Sequence, residues 1–510
     1  MYDWLERWAA IGPDRIAIDE IDAGRTTTYG ELNARARRLT RWWRDGLNLP
    51  AGSRVAVLCE SRREVFEALF AAAKAKMTLV PLNWRLSTRE LAHILDDAQP
   101  ALLAYDAAYA ESAHRLLEAR AVEHVAALDA PFEDGHVSWE SELARAADAP
   151  GEPVGLEDVP LVLYTSGTTG GPKGAMIPWR QILFNAVNTG LAAGLTADDS
   201  TLACLPLFHT GGLHCLATPL LHRGGRVVLT RGFDAEQATE VLKSGRAQTT
   251  IAVPTMYAMM ADAGFLKGDA PRVRALLCGG APLPDRLLDT YHEAERPLRQ
   301  GYGLTEVGPN CFTLSPLTGP DRVGTVGYPA FHSEARLVDD DGQDVADEVP
   351  GELWLRGPHV TTGYLNQPKV TAAALTEDGW FKTGDLLQRS PRGVFSVVGR
   401  KKDMFISGGE NVYPAEIENA LSTHPEIASV VVLGVPDERW GQVGLAAVIA
   451  ANPEAPPTAE ALAAWSKDHL ARYKIPKHWR FVEAFPLNST GKVQKAVLLD
   501  ELAPQGGTKS

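Results

Sequence analysis

Short apolar runs alternate with helical patterns along almost the whole chain, and this constrains the fold more than any other feature. RVAVLCE, LVLYTSG, GRVVLT, TTIAVP and RALLCGG are continuous apolar stretches of strand length. Such runs suit strands buried on both faces, as in parallel sheets. Between them lie amphipathic helices. In TTTYGELNARARRLTRWW, Thr28 can cap the helix, Glu31 takes the capping-box position, and Leu32, Ala36 and Leu39 recur at helical spacing. DAEQATEVLKSG repeats the scheme with Asp234, Gln237 and a closing Gly245. The alternation predicts an α/β protein with largely parallel sheets.

After about Ser315, Gly, Pro and Asp become frequent and the apolar runs shorten to ELWLRG and VFSVVG, which predicts antiparallel sheet and turns. A second change falls at GRKKDMFISGGENVYPAEIE. Beyond it, SVVVLGVPD, GLAAVIAA, a helix through ALAAWSKDHLARY and HWRFVEAFP predict a compact α/β module. The boundary is set at Arg400–Asp403, and the final PQGGTKS reads as a disordered end.

With 510 residues, roughly two to four domains are expected. A formal net charge of −14 argues against a nucleic-acid surface, which needs a basic face. A small nucleotide pocket needs only a few local donors. Cys59, Cys204, Cys215, Cys278 and Cys311 form no CxxC pair, and most sit in apolar runs. They read as reduced core thiols of a cytoplasmic protein. No run reaches the ~18 apolar residues of a spanning helix. Peripheral membrane contact and a homodimer stay open.

The densest chemical signal is YTSGTTGGPKG, Tyr164 to Gly174, which follows an apolar strand and precedes a helical pattern. Hydroxyls at Thr165, Ser166, Thr168 and Thr169 alternate with Gly167, Gly170 and Gly171. Glycines let backbone N–H groups close on phosphate oxygens, hydroxyls add donors, and Lys173 adds a point charge. No Gly-Lys-Ser/Thr follows, so a Walker-type loop is poorly supported.

At these residues the sequence resembles the adenylate-forming superfamily of acyl-CoA synthetases, firefly-type luciferases and peptide-synthetase adenylation domains. The resemblance runs from about Tyr29 to Lys495, with the motifs in the family's order, and is closest to fatty-acid and aryl-acid CoA ligases. It implies a large N-terminal domain, residues 1–400, built from two α/β subdomains and a small β-barrel-like subdomain. A hinge at 401–403 and a small mobile C-terminal α/β domain, 404–510, complete the implied fold. The implied reactants are ATP, Mg2+, coenzyme A and a small carboxylic acid.

The resemblance also implies roles for individual residues. His209, in LPLFHTGGL, lines the path between acid carboxylate and nucleotide. Gly211 and Gly212 beside it are expected to leave room for a bulky acyl group. Gly279, Gly280 and Ala281, in CGGAPLP, border the adenine and the acyl pocket. In QGYGLTEVG, which includes Gly301 and Gly303, Tyr302 stacks on adenine, Thr305 contacts phosphate, and Glu306 helps hold Mg2+. Asp385, after a tight turn in GWFKTGDL, and Arg400, in GRKKD, take the ribose. Lys402 matches the hinge. Ser407, Gly408 and Gly409 flank the pantetheine arm of CoA, with Trp440 either near that tunnel or packing. Lys492, in PLNSTGKVQK, is the catalytic lysine that neutralises charge during adenylation. Taken alone, a Thr-Glu pair, a strand-end Asp or a C-terminal Lys would be ordinary surface residues.

These features imply an acid–thiol ligase that forms an acyl-adenylate and passes the acyl group to CoA. The acid would be a medium- or long-chain fatty acid or an aromatic acid. The alternative is an adenylating enzyme that loads a carrier protein or an amine. A binding protein without chemistry would need damaged motifs, and Thr165, Glu306, Asp385, Arg400 and Lys492 are all present.

Overall fold

The apolar runs become the central strands of two large sheets. A computed structural model describes residues 2–129, 135–165, 172–270, 272–281, 283–313, 325–487 and 493–502, and the statements below concern these residues. One sheet has nine strands. Its middle is parallel, running from Leu298–Leu304 through Ala275–Cys278, Thr249–Ala252, Ser200–Ala203 and Arg226–Leu229 to Ile16–Glu20. Antiparallel neighbours close its ends: Arg25–Thr28 on one side, Gly308–Thr313 and Tyr328–Pro329 on the other. The second sheet has seven strands, parallel except for its last pair, Leu161–Thr165 and Lys173–Ile177.

The helices packed on the sheets form by local rules. Thr28 and Glu31 make the reciprocal capping box of helix Tyr29–Arg41. Asp234 accepts from the N–H of Gln237 at the start of Ala235–Lys243, and Gly245 follows that helix with φ +74°. Tyr29–Arg41, Arg63–Ala75 and Trp179–Ala193 bury their apolar faces in one core. That core also holds Ile18 and Val227 of the nine-stranded sheet and Val55, Leu79 and Leu161 of the other. All five cysteines are free and buried.

A four-stranded antiparallel sheet follows: Glu334–Val338, Gly351–Arg356, Phe381–Arg389 and Phe395–Arg400. Alternate residues of Gly351–Arg356 are buried, the period-two pattern of a half-covered sheet. This sheet curls against the nine-stranded one. Val307 and Phe312 share a core with Leu353, Leu387 and Phe395, and the Phe312 and Phe395 rings lie 5.0 Å apart.

Beyond Arg400 a turn leads into a separate sheet. Its frame is the long hairpin Ile427–Asp437 and Gly441–Ala450, joined by the short strands Phe405–Ser407 and Glu410–Val412 and by His478–Phe481. The helix expected through ALAAWSKDHLARY is shorter than its pattern, spanning only Ala459–Ser466. The buried Ser466 hydroxyl bonds back to the Leu462 carbonyl, and the chain continues in turns. Such back-bonding competes with the helix's own ladder. Residues 504–510, expected as a disordered end, lie outside the described residues.

Candidate active site

Four neighbouring parallel strands of the nine-stranded sheet end at one carboxyl edge. Ser200–Ala203 leads to His209, Thr249–Ala252 to Val253, and Ala275–Cys278 to Gly279 and Gly280; Leu298–Leu304 carries Tyr302 and leads into Thr305 and Glu306. In open α/β sheets this edge is where ligands bind.

Tyr302, Asp385 and Arg400 meet although 83 residues separate the first two. Asp385 lies within strand Phe381–Arg389, directly opposite Arg400 across the ladder, and not after the tight turn expected from GWFKTGDL. Gly384, at φ +70°, supplies the local bend. The Asp385 carboxylate is buried. One oxygen accepts from the Tyr302 hydroxyl at 2.5 Å, and the other forms an ion pair with Arg400, 2.9 Å from its Nε. Burial, and then the charge of Asp385, push the Tyr302 phenol far above its usual range, so it stays a donor. A carboxylate oxygen accepts more than one hydrogen bond, so this pair of oxygens retains acceptor capacity for vicinal hydroxyls.

The phosphate corner differs from its sequence reading. Strand Leu161–Thr165 is followed by its antiparallel partner Lys173–Ile177 before helix Trp179–Ala193 begins, so a second strand stands between the first strand and the helix. Tyr164 pairs with Gly174 and Thr165 with Lys173, and the Thr165 hydroxyl donates to the Lys173 carbonyl at 3.4 Å. A methyl on Gly174 would stand 2.8 Å from Val162 Cγ1 and 3.0 Å from Tyr164 Cζ, so close cross-strand packing requires glycine there. Ser166, Gly167, Thr168, Thr169 and Lys492 lie outside the described residues.

Thr305 and Glu306 sit in a single tight turn between strands. Gln181 Nε2 donates to the Thr305 carbonyl at 2.9 Å, and the Thr361 N–H to the Glu306 carbonyl at 2.7 Å. The half-buried Glu306 side chain accepts from the Tyr364 hydroxyl at 2.8 Å. Among the described residues no three His, Cys, Asp or Glu side chains gather to cage a metal. A single carboxylate suits Mg2+ carried in on a triphosphate, with phosphate and water as its other ligands. Tyr364 was not singled out in the sequence; its only signal there is TGYLNQP, a Gly-Tyr step ahead of a proline.

His209 caps the helical segment 210–223, and its Nδ1 accepts from the Gly211 N–H at 3.1 Å. That bond makes Nε2 the protonated nitrogen of the neutral ring. The expected room at Gly212 is absent. A methyl there would lie 2.3 Å from the Pro206 carbonyl oxygen and 2.5 Å from that of Leu205. Gly212 exists for backbone packing and not for an acyl group. Gly303 is similar, with the Gly308 carbonyl oxygen 2.3 Å from a methyl position.

The open glycines lie elsewhere. A methyl on Gly279 would meet only the Gly301 carbonyl at 3.7 Å and Ile251 Cδ1 at 3.9 Å. One on Gly280 would meet Val253 Cγ1 at 3.7 Å, and one on Gly301 Asn310 Oδ1 at 3.9 Å. Gly280 has φ +83°, and Ala281 is exposed next to it. Apart from chain neighbours, no atom comes closer than 3.7 Å to any of these three methyl positions.

Across the turn at 401–403, where Lys402 is exposed, Ser407 pairs with Glu410 around Gly408 and Gly409. Their φ values of +62° and +90° fit the two-residue hairpin turns that favour glycine. Trp440 lies against this tip: its carbonyl accepts from the Gly408 N–H at 2.9 Å, and a methyl on Gly408 would stand 2.8 Å from its ring. The residue is 45% exposed.

The AMP-binding enzyme family model matches residues 5–365, and that of the AMP-binding enzyme C-terminal domain matches 416–492. A feruloyl-CoA synthase of Amycolatopsis sp is 38% identical over 494 residues, covering 96% of this chain and 97% of that protein. An indoleacetate–CoA ligase of Aromatoleum aromaticum is also 38% identical, over 97% of this chain and 96% of its own. The o-succinylbenzoate CoA synthetase of Bacillus subtilis, solved with its acyl-adenylate intermediate, superposes with a TM-score of 0.87 at 30% identity, covering 99% of both chains. The same synthetase has also been solved with ATP and magnesium ion. Matched by both family models and by these full-length relatives, the chain belongs to the family of AMP-binding enzymes.

Proposed function

We propose that this acid–CoA ligase acts on an aromatic carboxylic acid, and that the residues above divide its two half-reactions. The chain is an acid–thiol ligase using ATP, Mg2+ and coenzyme A; the acid class and the residue roles are the proposal. The observation that carries the acid class is the absence of close contacts at Gly279, Gly280 and Gly301, where an added methyl would meet only Ile251, Val253, Asn310 and two backbone carbonyls at 3.7–3.9 Å. Backbone without side chains suits a flat ring. The feruloyl, indoleacetate and o-succinylbenzoate enzymes are named for aromatic acids, in accord with this choice.

In the first half-reaction the acid carboxylate attacks the α-phosphorus of ATP, and pyrophosphate leaves. Asp385 and Arg400 fix the ribose, and Tyr302 holds Asp385 in place while its ring faces the base. Thr165, Lys173 and the loop 166–169 receive the phosphates, and Lys492 neutralises charge developing around the α-phosphate. A preorganised cation at developing charge is worth several kcal/mol of barrier. His209 offers its Nε2 proton to the carboxylate and so orients it. Glu306 faces the Mg2+ that ATP brings.

In the second half-reaction the C-terminal domain, 404–510, turns about Lys402. The Ser407–Gly409 tip and Trp440 then flank the pantetheine arm, the CoA thiolate attacks the acyl carbon, and AMP leaves. No helix of the described residues is long and apolar enough to cross a membrane. We place the enzyme in the cytoplasm, where thiols stay reduced and both cosubstrates are made.

The test is incubation with ATP, Mg2+, CoA and acids spanning aliphatic chains and aromatic rings, scored by mass spectrometry, with Lys492→Ala as control. CoA thioesters of aromatic acids, lost in the variant, are the expected result. Preference for a fatty acid would overturn the acid class. Acyl-adenylate without thioester would point to a carrier protein or amine acceptor.

A further inference from the structure

Segment 361–366 braces two parts of the phosphate corner that are far apart in sequence. On one side it pairs with strand Lys173–Ile177: Tyr364 bridges Ala175, the Leu365 N–H donates to the Gly174 carbonyl at 2.8 Å, and the Met176 N–H to the Gly363 carbonyl at 2.9 Å. On the other side, the Thr361 N–H holds the carbonyl of Glu306. The brace is itself fixed. The Tyr364 N–H donates to Thr371 Oγ1 at 2.9 Å, and Asn366 Nδ2 to the Asp97 carbonyl at 2.8 Å.

From this brace, the Tyr364 side chain reaches both charged groups of the corner. Its hydroxyl donates to Glu306 Oε1 at 2.8 Å, and its ring lies under Lys173 Nζ, 5.9 Å from the ring centroid. A phenol has one proton to give. Giving it to Oε1 fixes the rotation of the carboxylate and thus the direction its lone pairs present. Burial, with the Glu306 charge next, keeps the phenol protonated. The ring face meanwhile restrains the ammonium at the foot of the phosphate loop.

We propose that Tyr364 is a positioning residue for ATP-bound Mg2+, aiming the Glu306 carboxylate and the Lys173 ammonium at the same triphosphate. This rests on the proposed role of Glu306. Tyr364→Phe removes the hydroxyl and keeps the ring, the backbone bridge and the bond to Thr371. The variant is compared with Glu306→Gln and with the double variant. The readouts are ATP–pyrophosphate exchange against Mg2+ and ATP, thioester formation from supplied acyl-adenylate, and melting temperature.

A hydrogen bond to a charged group sets the scale at about tenfold. Tyr364→Phe should raise the Mg2+ and ATP concentrations needed for half-maximal exchange by that factor. Thioester formation from acyl-adenylate and the melting temperature should stay unchanged, and the double variant should be little worse than Glu306→Gln. If Glu306→Gln weakens Mg2+ dependence and Tyr364→Phe does not, the inference is wrong and the role of Glu306 survives. If Glu306→Gln leaves Mg2+ dependence intact, the role of Glu306 falls and the inference with it. Equal loss in both half-reactions with a lower melting temperature would reduce Tyr364 to a packing residue and refute the proposal.

Discussion

Adding one methyl group at Gly279 tests where the acid lies. The new Cβ would sit 3.7 Å from the Gly301 carbonyl oxygen and 3.9 Å from Ile251 Cδ1, both ordinary contacts. Gly279 is not among the glycines with positive φ. Alanine is therefore accepted by the fold, and the lost backbone freedom of the unfolded chain offsets part of any cost. On the proposed reading the methyl does intrude on the space the acid takes. Overpacking of a fitted site costs about 1–3 kcal/mol, which raises the KM for a bulky aromatic acid by roughly 5- to 150-fold. The KM for ATP should move far less. Gly212→Ala is the matched control: its methyl would lie 2.3 Å from the Pro206 carbonyl oxygen. It should lower the melting temperature by several degrees, with an unfolding cost of about 2–4 kcal/mol, and affect all acids alike. The assay is pyrophosphate release over a series of acids, paired with thermal melting. The reasoning fails if Gly279→Ala leaves the aromatic KM within twofold, or if Gly212→Ala changes acid preference at unchanged melting temperature.

What the sequence disclosed tracks how local each interaction is. The box of Thr28 and Glu31 and the cap of Asp234 on Gln237 involve residues three apart, so their signals are complete within one turn. The buried strands were legible because parallel sheets leave continuous apolar runs. Lys173–Ile177 was missed as a strand because KGAMI is short, holds a glycine and sits directly before a strong helix. Glycine was the least decidable residue. It serves both close backbone packing and open space, and only the surroundings distinguish Gly212 from Gly279. Asp385 and Arg400 were singled out through family resemblance alone, since their meeting depends on the register of a ladder. Tyr364 escaped notice because its partner lies 58 residues away.

Three further outcomes follow from the geometry. Asp385→Asn keeps the shape but removes the charge that Arg400 and Tyr302 hold, and charge-assisted bonds of about 1.5–3 kcal/mol predict a rise of roughly 10- to 100-fold in the KM for ATP; titrating ATP in pyrophosphate exchange checks it, and an unchanged KM removes Asp385 from the nucleotide. Trp440→Ala should slow thioester formation from acyl-adenylate by about tenfold or more while sparing adenylation, since its ring packs on the Gly408 tip and beneath the Arg439 guanidinium; equal losses in both steps would refute that division. Acid stability should depend on His214, which is buried with Nδ1 2.9 Å from Thr218 Oγ1 and whose pKa burial pushes down to about 3. Unfolded, the imidazole titrates near ~6.5, so between those values the unfolded chain takes a proton that the native one refuses. The stabilising contribution is then complete above pH ~6.5 and falls by about 1.4 kcal/mol per pH unit below it. Acidification from pH 7 to 5 costs about 2 kcal/mol through this residue. In His214→Gln the melting temperature should start lower, because a buried contact changes, but fall less steeply between pH 6 and 5. His222, pushed down to about 4 by burial and by Arg223, keeps its own share of the slope in both proteins. An identical slope in the variant would mean that the native fold admits a proton at His214 after all, and that the ring is less enclosed than its packing requires.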